Sequence, residues 1–303
     1  MPRPTTLVLN WHLTETCNYQ CRYCYAAWSE SHRPSELICD ARQTSALLGE
    51  IYRFFQPGNP RNPLARRMGW TSLRLNLAGG EPLIHSGKLM TVVNQAHALG
   101  FEVSLITNGS YLTRELLDQL APTLSWLGIS IDSGSASTNL SIGRADRRGH
   151  LLDLKELATN LHQVRQHNLG LRLKLNTVVN SHNHREDLAP LIQRFYPDKW
   201  KVLRMLPVVN RNLAISDQEF TAFVARHRQF GKIICPEDNQ DMRDSYLMID
   251  PHGRFFQNSL RLGEQGYTYS QPILGVGIEV AFSEIGFDPV RFNMRYIPTV
   301  TGE

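Results

Sequence analysis

Cys17, Cys21 and Cys24 fall within one short stretch, CNYQCRYC, with three and two residues between successive cysteines. A loop of this length can turn all three thiolates toward one metal cluster. A structural zinc ion takes four protein ligands, usually from two paired motifs. The other two cysteines, Cys39 and Cys235, are isolated and read as bystander thiols, and His12, upstream on a strand-like stretch, makes a weak fourth ligand. Three thiolates on a cubane 4Fe-4S cluster instead leave one iron open, whereas electron-transfer ferredoxins close every position with cysteine. That open iron is a chemical opportunity. Zinc binding and a chance clustering of reduced thiols stand as competing readings. His182 and His184 in NSHNH look like a metal pair, but they follow a strand on a turn without carboxylate partners and read as loop residues.

Such a loop needs a frame to hold it. Short β-branched or apolar runs at 5–13, 72–78, 101–107, 124–131, 169–179 and 200–209 read as strands, and 40–56, 87–99, 113–121, 151–168, 185–195 and 216–229 read as helices. Strands alternating with helices over short connections imply parallel strands joined by right-handed crossovers. Six units are too few for a closed eight-stranded barrel, so the pattern predicts an α/β fold, a partial (β/α)6 barrel, over the alternative of an open doubly wound sheet. Either architecture gathers functional groups at the C-terminal ends of the strands, which is where the cysteines fall. Beyond about 232 the alternation fails, and loops with a hairpin are expected to pack against the barrel mouth. The expected organisation is a core at 1–215 and an extension or lid at 216–303, together one structural unit. GNPRNPLARRMG at 58–69 reads as a long Pro/Gly loop.

The composition is that of a globular chain. Of 303 residues, 42% are hydrophobic and 20% charged, which argues against disordered, collagen-like and coiled-coil classes. No apolar run approaches the roughly 18 residues that cross a bilayer, and the N-terminus lacks an apolar signal region with a cleavage site. These features predict a soluble cytoplasmic protein. A formal net charge of +4 is far from the basic stripe of a nucleic-acid binder and suits a small anionic ligand.

CNYQCRYC matches the CxxxCxΦC signature, through Cys17, Cys21, Tyr23 and Cys24. AGGEP at 78–82, TNGS at 107–110 and SIDS at 130–133 end the next three strands. Each is a common turn sequence alone, but in register they make the chain resemble the radical S-adenosylmethionine (SAM) superfamily. The resemblance implies an open iron that chelates the amino and carboxylate groups of SAM, and an electron that splits its sulfonium to a 5′-deoxyadenosyl radical. It implies SAM contacts from Gly79 and Gly80, whose small size admits a ligand close to the backbone, with Glu81 supporting that loop. Asn108 and Tyr23 join the cofactor site, and Ser130 and Asp132 are expected at ribose hydroxyls and neighbouring groups.

NWHLTETCNYQCRYC, NLAGGEPL, ITNGS, LGISIDS, IGR, KLNTVVN, WKV, PEDNQDMRDSYLMID and GFD, spread over about 8–295, narrow the resemblance to the viperin family. That family binds a nucleoside triphosphate, CTP in the best-known case and UTP or GTP in some prokaryotic relatives. It dehydrates the ribose to a 3′-deoxy-3′,4′-didehydro nucleotide, a chain terminator used in antiviral defence. Arg144 in IGR then corresponds to the holder of the SAM carboxylate, while Arg147 and Arg148 read as surface residues. A triphosphate calls for several cations facing one cavity. Lys174 and Asn176 share one strand face, Lys201 lies on the next strand, and Arg74 stands two before Asn76. By position these match the family's phosphate sites, with Arg74 in place of a lysine. Arg295 matches an arginine that closes over the nucleotide, and Tyr246 a tyrosine of the substrate pocket and the candidate proton donor.

The expected reaction removes hydrogen from ribose C4′, after which the 3′-hydroxyl leaves with proton assistance and the sugar radical is reduced. An electron donor such as ferredoxin or flavodoxin is implied, and no nucleic acid or membrane. Rival readings are a radical SAM enzyme acting on RNA or a peptide, which lacks its expected recognition module here, and a non-catalytic iron-sulfur protein. The chain departs from animal viperins in four places. MPRPTTLVL has no amphipathic membrane helix, Ala78 replaces a serine, 255–263 differs from a Cys-containing stretch, and IPTVTGE replaces the aromatic tail used in cluster delivery. The delivery partner and the preferred base are therefore left open.

Overall fold

The structure, a computed structural model, describes residues 5–24, 36–207, 211–258 and 267–295. Strands β1 (Thr6–His12), β2 (Ser72–Ala78), β3 (Glu102–Thr107), β4 (Leu124–Ser130), β5 (Arg172–Val179) and β6 (Lys199–Arg204) pair in parallel in chain order. Between them run helices α1 (Ala41–Phe55), α2 (Pro63–Met68), α3 (Ser86–Leu99), α4 (Arg114–Leu120), α5 (Ala136–Ile142), α6 (Leu154–His167) and α7 (Ala189–Phe195), and α8 (Asp217–Arg226) follows β6. Five of the six predicted helices start and end within about three residues of those expected, as capping dictates; the fifth in order, expected from 185, begins later as α7. Asp40, for example, takes the N–H groups of Arg42 and Gln43 at the head of α1.

Two stretches differ from expectation. Within 58–69 the prolines and glycine that suggested a loop are helix punctuation: Asn62 caps α2, Pro63 opens it, and Gly69 ends it in the left-handed region. The strand pattern also continues past 232. β7 (Ile234–Glu237) adds in parallel beyond β6. Four residues including a proline give little strand signal, and proline is tolerated because β7 is an edge strand.

The C-terminal residues extend the sheet on its other side as well. β8 (Leu247–Ile249) lies parallel to β1, and β9 (Arg254–Gln257) and β10 (Thr268–Pro272) follow antiparallel, with β8 and β9 forming the expected hairpin. Helices α9 (Ile273–Val276), α10 (Ile278–Ser283) and α11 (Pro289–Met294) complete the described chain. Among the described residues the result is one ten-stranded sheet in the order β10-β9-β8-β1-β2-β3-β4-β5-β6-β7, whose two edge strands are not joined. Residues before and after 215 share it.

Strand alternation gives the sheet two unlike faces. Leu7, Leu9, Trp11, Leu73, Leu75, Leu77, Leu173, Leu175, Trp200 and Val202 are buried in one core with Leu47, Ile51 and Phe55 of α1. Each such side chain contributes about 2 kcal/mol by leaving water. The intervening positions carry Asn10, His12, Arg74, Asn76, Ser104, Lys174, Asn176 and Lys201, so the opposite face is polar. The sheet is curled over that face, because Tyr246, just before β8, touches Lys201 on β6 and Glu237 on β7, six and seven strands away in the sheet order. Among the described residues no helix is long and apolar enough to cross a membrane.

Candidate active site

The cysteine loop follows β1 directly and is fixed by backbone on both sides. Gly80 N–H donates to the Thr14 carbonyl at 2.7 Å and Glu81 N–H to that of Thr16 at 2.8 Å. A Cβ on Gly80 would lie 2.1 Å from the Thr16 oxygen, and one on Gly79, whose φ is +145°, 2.6 Å from that of Thr14. The sequence suggested glycines that admit a ligand; the structure uses them to press the GGE turn onto the residues leading into Cys17. Glu81 is fully buried and accepts from Thr107 Oγ1 at 2.6 Å, Asn108 N–H at 2.7 Å and Leu83 N–H at 3.1 Å. Burial raises its pKa, and these donors counter that shift. It ties the end of β2 to the end of β3.

On the other flank Gln20 N–H donates to Gly143 O at 3.2 Å and Arg22 N–H to Ile142 O at 2.9 Å. The thiols meet a defined set of donors. Tyr19 N–H lies 3.4 Å and Asn108 Nδ2 3.9 Å from Cys17 Sγ, and Arg144 Nη1 4.0 Å from Cys21 Sγ. Burial raises the Cys17 pKa and pushes that of Cys21 up to about 12, against the pull of Arg144. N–H donors and a cation facing sulfur suit thiolates that share the negative charge of an iron cluster. Among the described residues no three His, Cys, Asp or Glu side chains converge on one ion.

Arg144 is buried and anchors a polar knot above the sheet. Its guanidinium donates to the Ser130 carbonyl and, at 3.1 Å, to Tyr23 Oη, and lies 3.5 Å from Asp132 Oδ2. Tyr23 in turn donates to Asp132 Oδ2, and Val178 N–H to Asp132 Oδ1 at 2.8 Å. Burial raises the pKa of Asp132, with Arg144 opposing it. Asp132, expected at a ribose, thus has both oxygens engaged by protein donors. Ser130 stands beside Asn176 in the sheet register.

Below the knot, the polar face carries cations. Ser130, Asn176 and Lys201 form one row across β4, β5 and β6, and Gly128 and Lys174 form the next. Lys201 Nζ is 2.9 Å from Glu237 Oε1 and 2.5 Å from Tyr246 Oη, and Tyr246 donates to Glu237 Oε2. The Arg295 guanidinium stacks 3.4 Å from the centre of the Tyr246 ring and donates to Ser245 O at 2.7 Å. Burial pushes the Lys174 amine down to about 7, helped by Lys201 and Lys199, and the Lys201 amine to about 8. Burial works to raise the pKa of Glu237, but Lys201 and Arg295 outweigh it and hold it at about 2.

Farther along the strands, Arg74 pairs with Glu102 Oε2 through Nη2 at 2.7 Å and Nε at 3.0 Å, and its guanidinium lies 5.9 Å from the Trp126 ring. Asn76 accepts from Ser104 Oγ and donates to Asn10 Oδ1, both at 2.8 Å. Glu237, Glu102, Asn10 and Ser104 escaped the sequence reading. Glu237 lies inside PEDNQDMRDSYLMID, the quoted stretch that also holds Tyr246, and that was its one signal. His182 and His184 fall on turns after β5, and against expectation His184 has a carboxylate neighbour, its Nδ1 lying 3.7 Å from Glu219 Oε1; Cys39 is exposed. Residues 259–263 of the divergent 255–263 stretch, and the terminal IPTVTGE, lie outside the described residues.

Residues 11–194 match the Radical SAM superfamily. The chain is 42% identical over 290 residues to the S-adenosylmethionine-dependent nucleotide dehydratase of Psychrobacter lutiphocae, covering 96% of this chain and 94% of that one. It is 39% identical to the protein of the same name from Pseudoalteromonas ulvae, over 96% and 92% of the two chains. It is 33% identical to S-adenosylmethionine-dependent nucleotide dehydratase RSAD2 of Danio rerio, over 97% and 78%. Among solved structures, native anSMEcpe with bound AdoMet aligns at a TM-score of 0.65 over 95% and 84% of the chains, at 13% identity. Streptococcus suis SuiB bound to S-adenosylmethionine aligns at 0.61 over 97% and 68%, also at 13%. At such identity the likeness speaks for the fold.

Proposed function

We infer the activity from the premise that this chain belongs to the radical SAM superfamily and, within it, to the viperin family of S-adenosylmethionine-dependent nucleotide dehydratases: it removes water from the ribose of a ribonucleoside triphosphate. CTP is the favoured substrate, UTP or GTP the alternatives, and the 3′-deoxy-3′,4′-didehydro product acts in antiviral defence. Cys17, Cys21 and Cys24 hold a 4Fe-4S cluster with one open iron. Arg144, the cation that touches the cysteine loop, receives the SAM carboxylate; Gly79, Gly80, Glu81, Asn108, Tyr23, Ser130 and Asp132 shape the rest of that pocket.

Bound cluster and SAM supply the carbon radical that takes hydrogen from C4′. The chain's own residues place the sugar and move the proton. Lys174, Lys201, Arg74 and Arg295, with Asn76 and Asn176, face one polar interior and bind the triphosphate by charge-assisted hydrogen bonds. Tyr246, or a water it holds, gives a proton to the departing 3′-hydroxyl, which leaves as water, and one electron from the external donor reduces the remaining sugar radical so that the C3′–C4′ double bond closes. The Lys201 ammonium at 2.5 Å then returns a proton to the phenolate.

One observation carries this reading. Lys174 alternates with leucines on an inner strand, half-buried on the polar face, without a carboxylate within ion-pair distance among the described residues. An unpaired ammonium partly withdrawn from water is costly, and an anionic ligand removes that cost. The test is anaerobic turnover of cluster-reconstituted protein with dithionite, SAM and each of the four ribonucleoside triphosphates. Nucleotide-dependent 5′-deoxyadenosine supports the reading; release triggered by RNA or peptide but by no nucleotide overturns it.

A further inference from the structure

We propose that the exposed basic turn at Arg147 and Arg148, together with the outer edge of the cysteine loop at Arg22, is the docking surface for an acidic one-electron carrier protein. The inference rests on the iron-sulfur reading of Cys17, Cys21 and Cys24. In the segment RADRR, Arg144 turns inward to the polar knot, while Arg147 and Arg148 are exposed and enter no ion pair among the described residues. The acid of that segment is spent on the turn itself. Asp146 Oδ1 accepts from the N–H groups of Arg148 and His150, both at 2.8 Å, and Oδ2 lies 2.9 Å from His150 Nδ1. Charge on this surface is therefore presented outward and held in place.

The turn is also fixed against the cysteine loop. Gly143, four residues ahead of Arg147, adopts a φ of +88°, and a Cβ there would lie 2.2 Å from Gln20 O. With the Gly143–Gln20 and Ile142–Arg22 backbone bonds, α5 and the basic turn move with the residues between Cys17 and Cys24. Arg22, exposed, lies between Cys21 and Cys24. Two exposed apolar side chains flank the loop. Leu140 on α5 is 49% exposed, and Tyr111, 45% exposed, follows Ser110, whose hydroxyl accepts from Asn18 Nδ2 at 2.9 Å. A few apolar contacts rimmed by cations make a small surface of the kind used in weak redox encounters. It is too short to track a nucleic acid. An acidic partner is attracted along the right approach, and its redox group arrives at the loop that must receive an electron. One electron passes to the cluster, and the carrier leaves oxidised by one electron.

The test compares wild-type holoenzyme with the double variant Arg147→Glu, Arg148→Glu, reduced either by dithionite or by reduced flavodoxin, reading 5′-deoxyadenosine release at low and high salt. The dithionite rate should stay within about twofold of wild type. The flavodoxin-supported rate should fall by about tenfold or more at low salt and lose its salt dependence. Wild-type behaviour with flavodoxin overturns the docking surface, and so does an equal loss with both reductants, which marks a structural role. Absence of 5′-deoxyadenosine from dithionite-reduced wild type instead overturns the cluster reading and the surface with it.

Discussion

Tyr246 donates its hydroxyl hydrogen to Glu237 across the open side of the curled sheet, and Lys201 and Arg295 crowd the same carboxylate. Two cations on one buried acid leave a net positive cluster whose only carboxylate in ion-pair contact, among the described residues, is Glu237. Removing one partner of a buried ion pair leaves an uncompensated charge and costs about 3 kcal/mol or more. Glu237→Gln should therefore lower the Tm of the nucleotide-free protein by several degrees. Triphosphate can replace the lost negative charge, so the Tm gain on adding CTP should exceed that of wild type. Equal gains would show that Glu237 is not the counter-charge of the nucleotide site.

Tyr246→Phe removes the hydroxyl and keeps the ring under Arg295. General acid groups contribute about 10²-fold or more, so kcat should fall by about that factor while cluster content and nucleotide KM stay near wild type. A loss confined to KM would make Tyr246 a binding residue and move the proton donor elsewhere.

Lys174 gives the pH dependence. In the nucleotide-free protein burial and the neighbouring lysines bring its amine to about 7, while a bound triphosphate favours the charged form and raises that value. Below about pH 7 the amine is already protonated and affinity is flat. Above it, binding must take up a proton, and affinity weakens by up to about tenfold per pH unit. The KM for nucleotide should rise with pH above about 7, with a further bend as Lys201 titrates near 8. Lys174→Arg keeps the charge and should flatten the first bend; an unchanged profile would contradict the assignment.

Gly80 tests the frame of the cysteine loop. A methyl group there meets the Thr16 carbonyl at 2.1 Å, and backbone does not yield cheaply. Gly80→Ala should reduce iron and sulfide loading after reconstitution far below wild type while circular dichroism still shows the α/β fold. Full loading would mean that the turn can shift without disturbing the cysteines.

The sequence showed the alternating strands and their helices, because 72–78 and 169–179 alternate leucine with polar residues and the helices carry their own caps. It also showed the cysteines and the strand-end motifs, which are contiguous. What stayed hidden depends on pairing between distant segments. Nothing local marks Glu237 as the partner of Lys201 and Arg295, or Glu102 as that of Arg74. The glycines of AGGEP were visible, yet their neighbour, the backbone of Thr14 to Thr16, was not. β7 was missed because four residues with a proline carry no alternation, and α2 because cap residues are also loop residues.

The central claim is that this chain dehydrates a ribonucleoside triphosphate, and the mass of the nucleotide after anaerobic turnover tests it most directly. With reconstituted protein, dithionite and SAM, one of the four triphosphates should be converted to a species lighter by one water, in step with 5′-deoxyadenosine, and Cys21→Ala should abolish both. Unchanged nucleotide mass in all four reactions, alongside SAM cleavage that ignores them, would contradict the account.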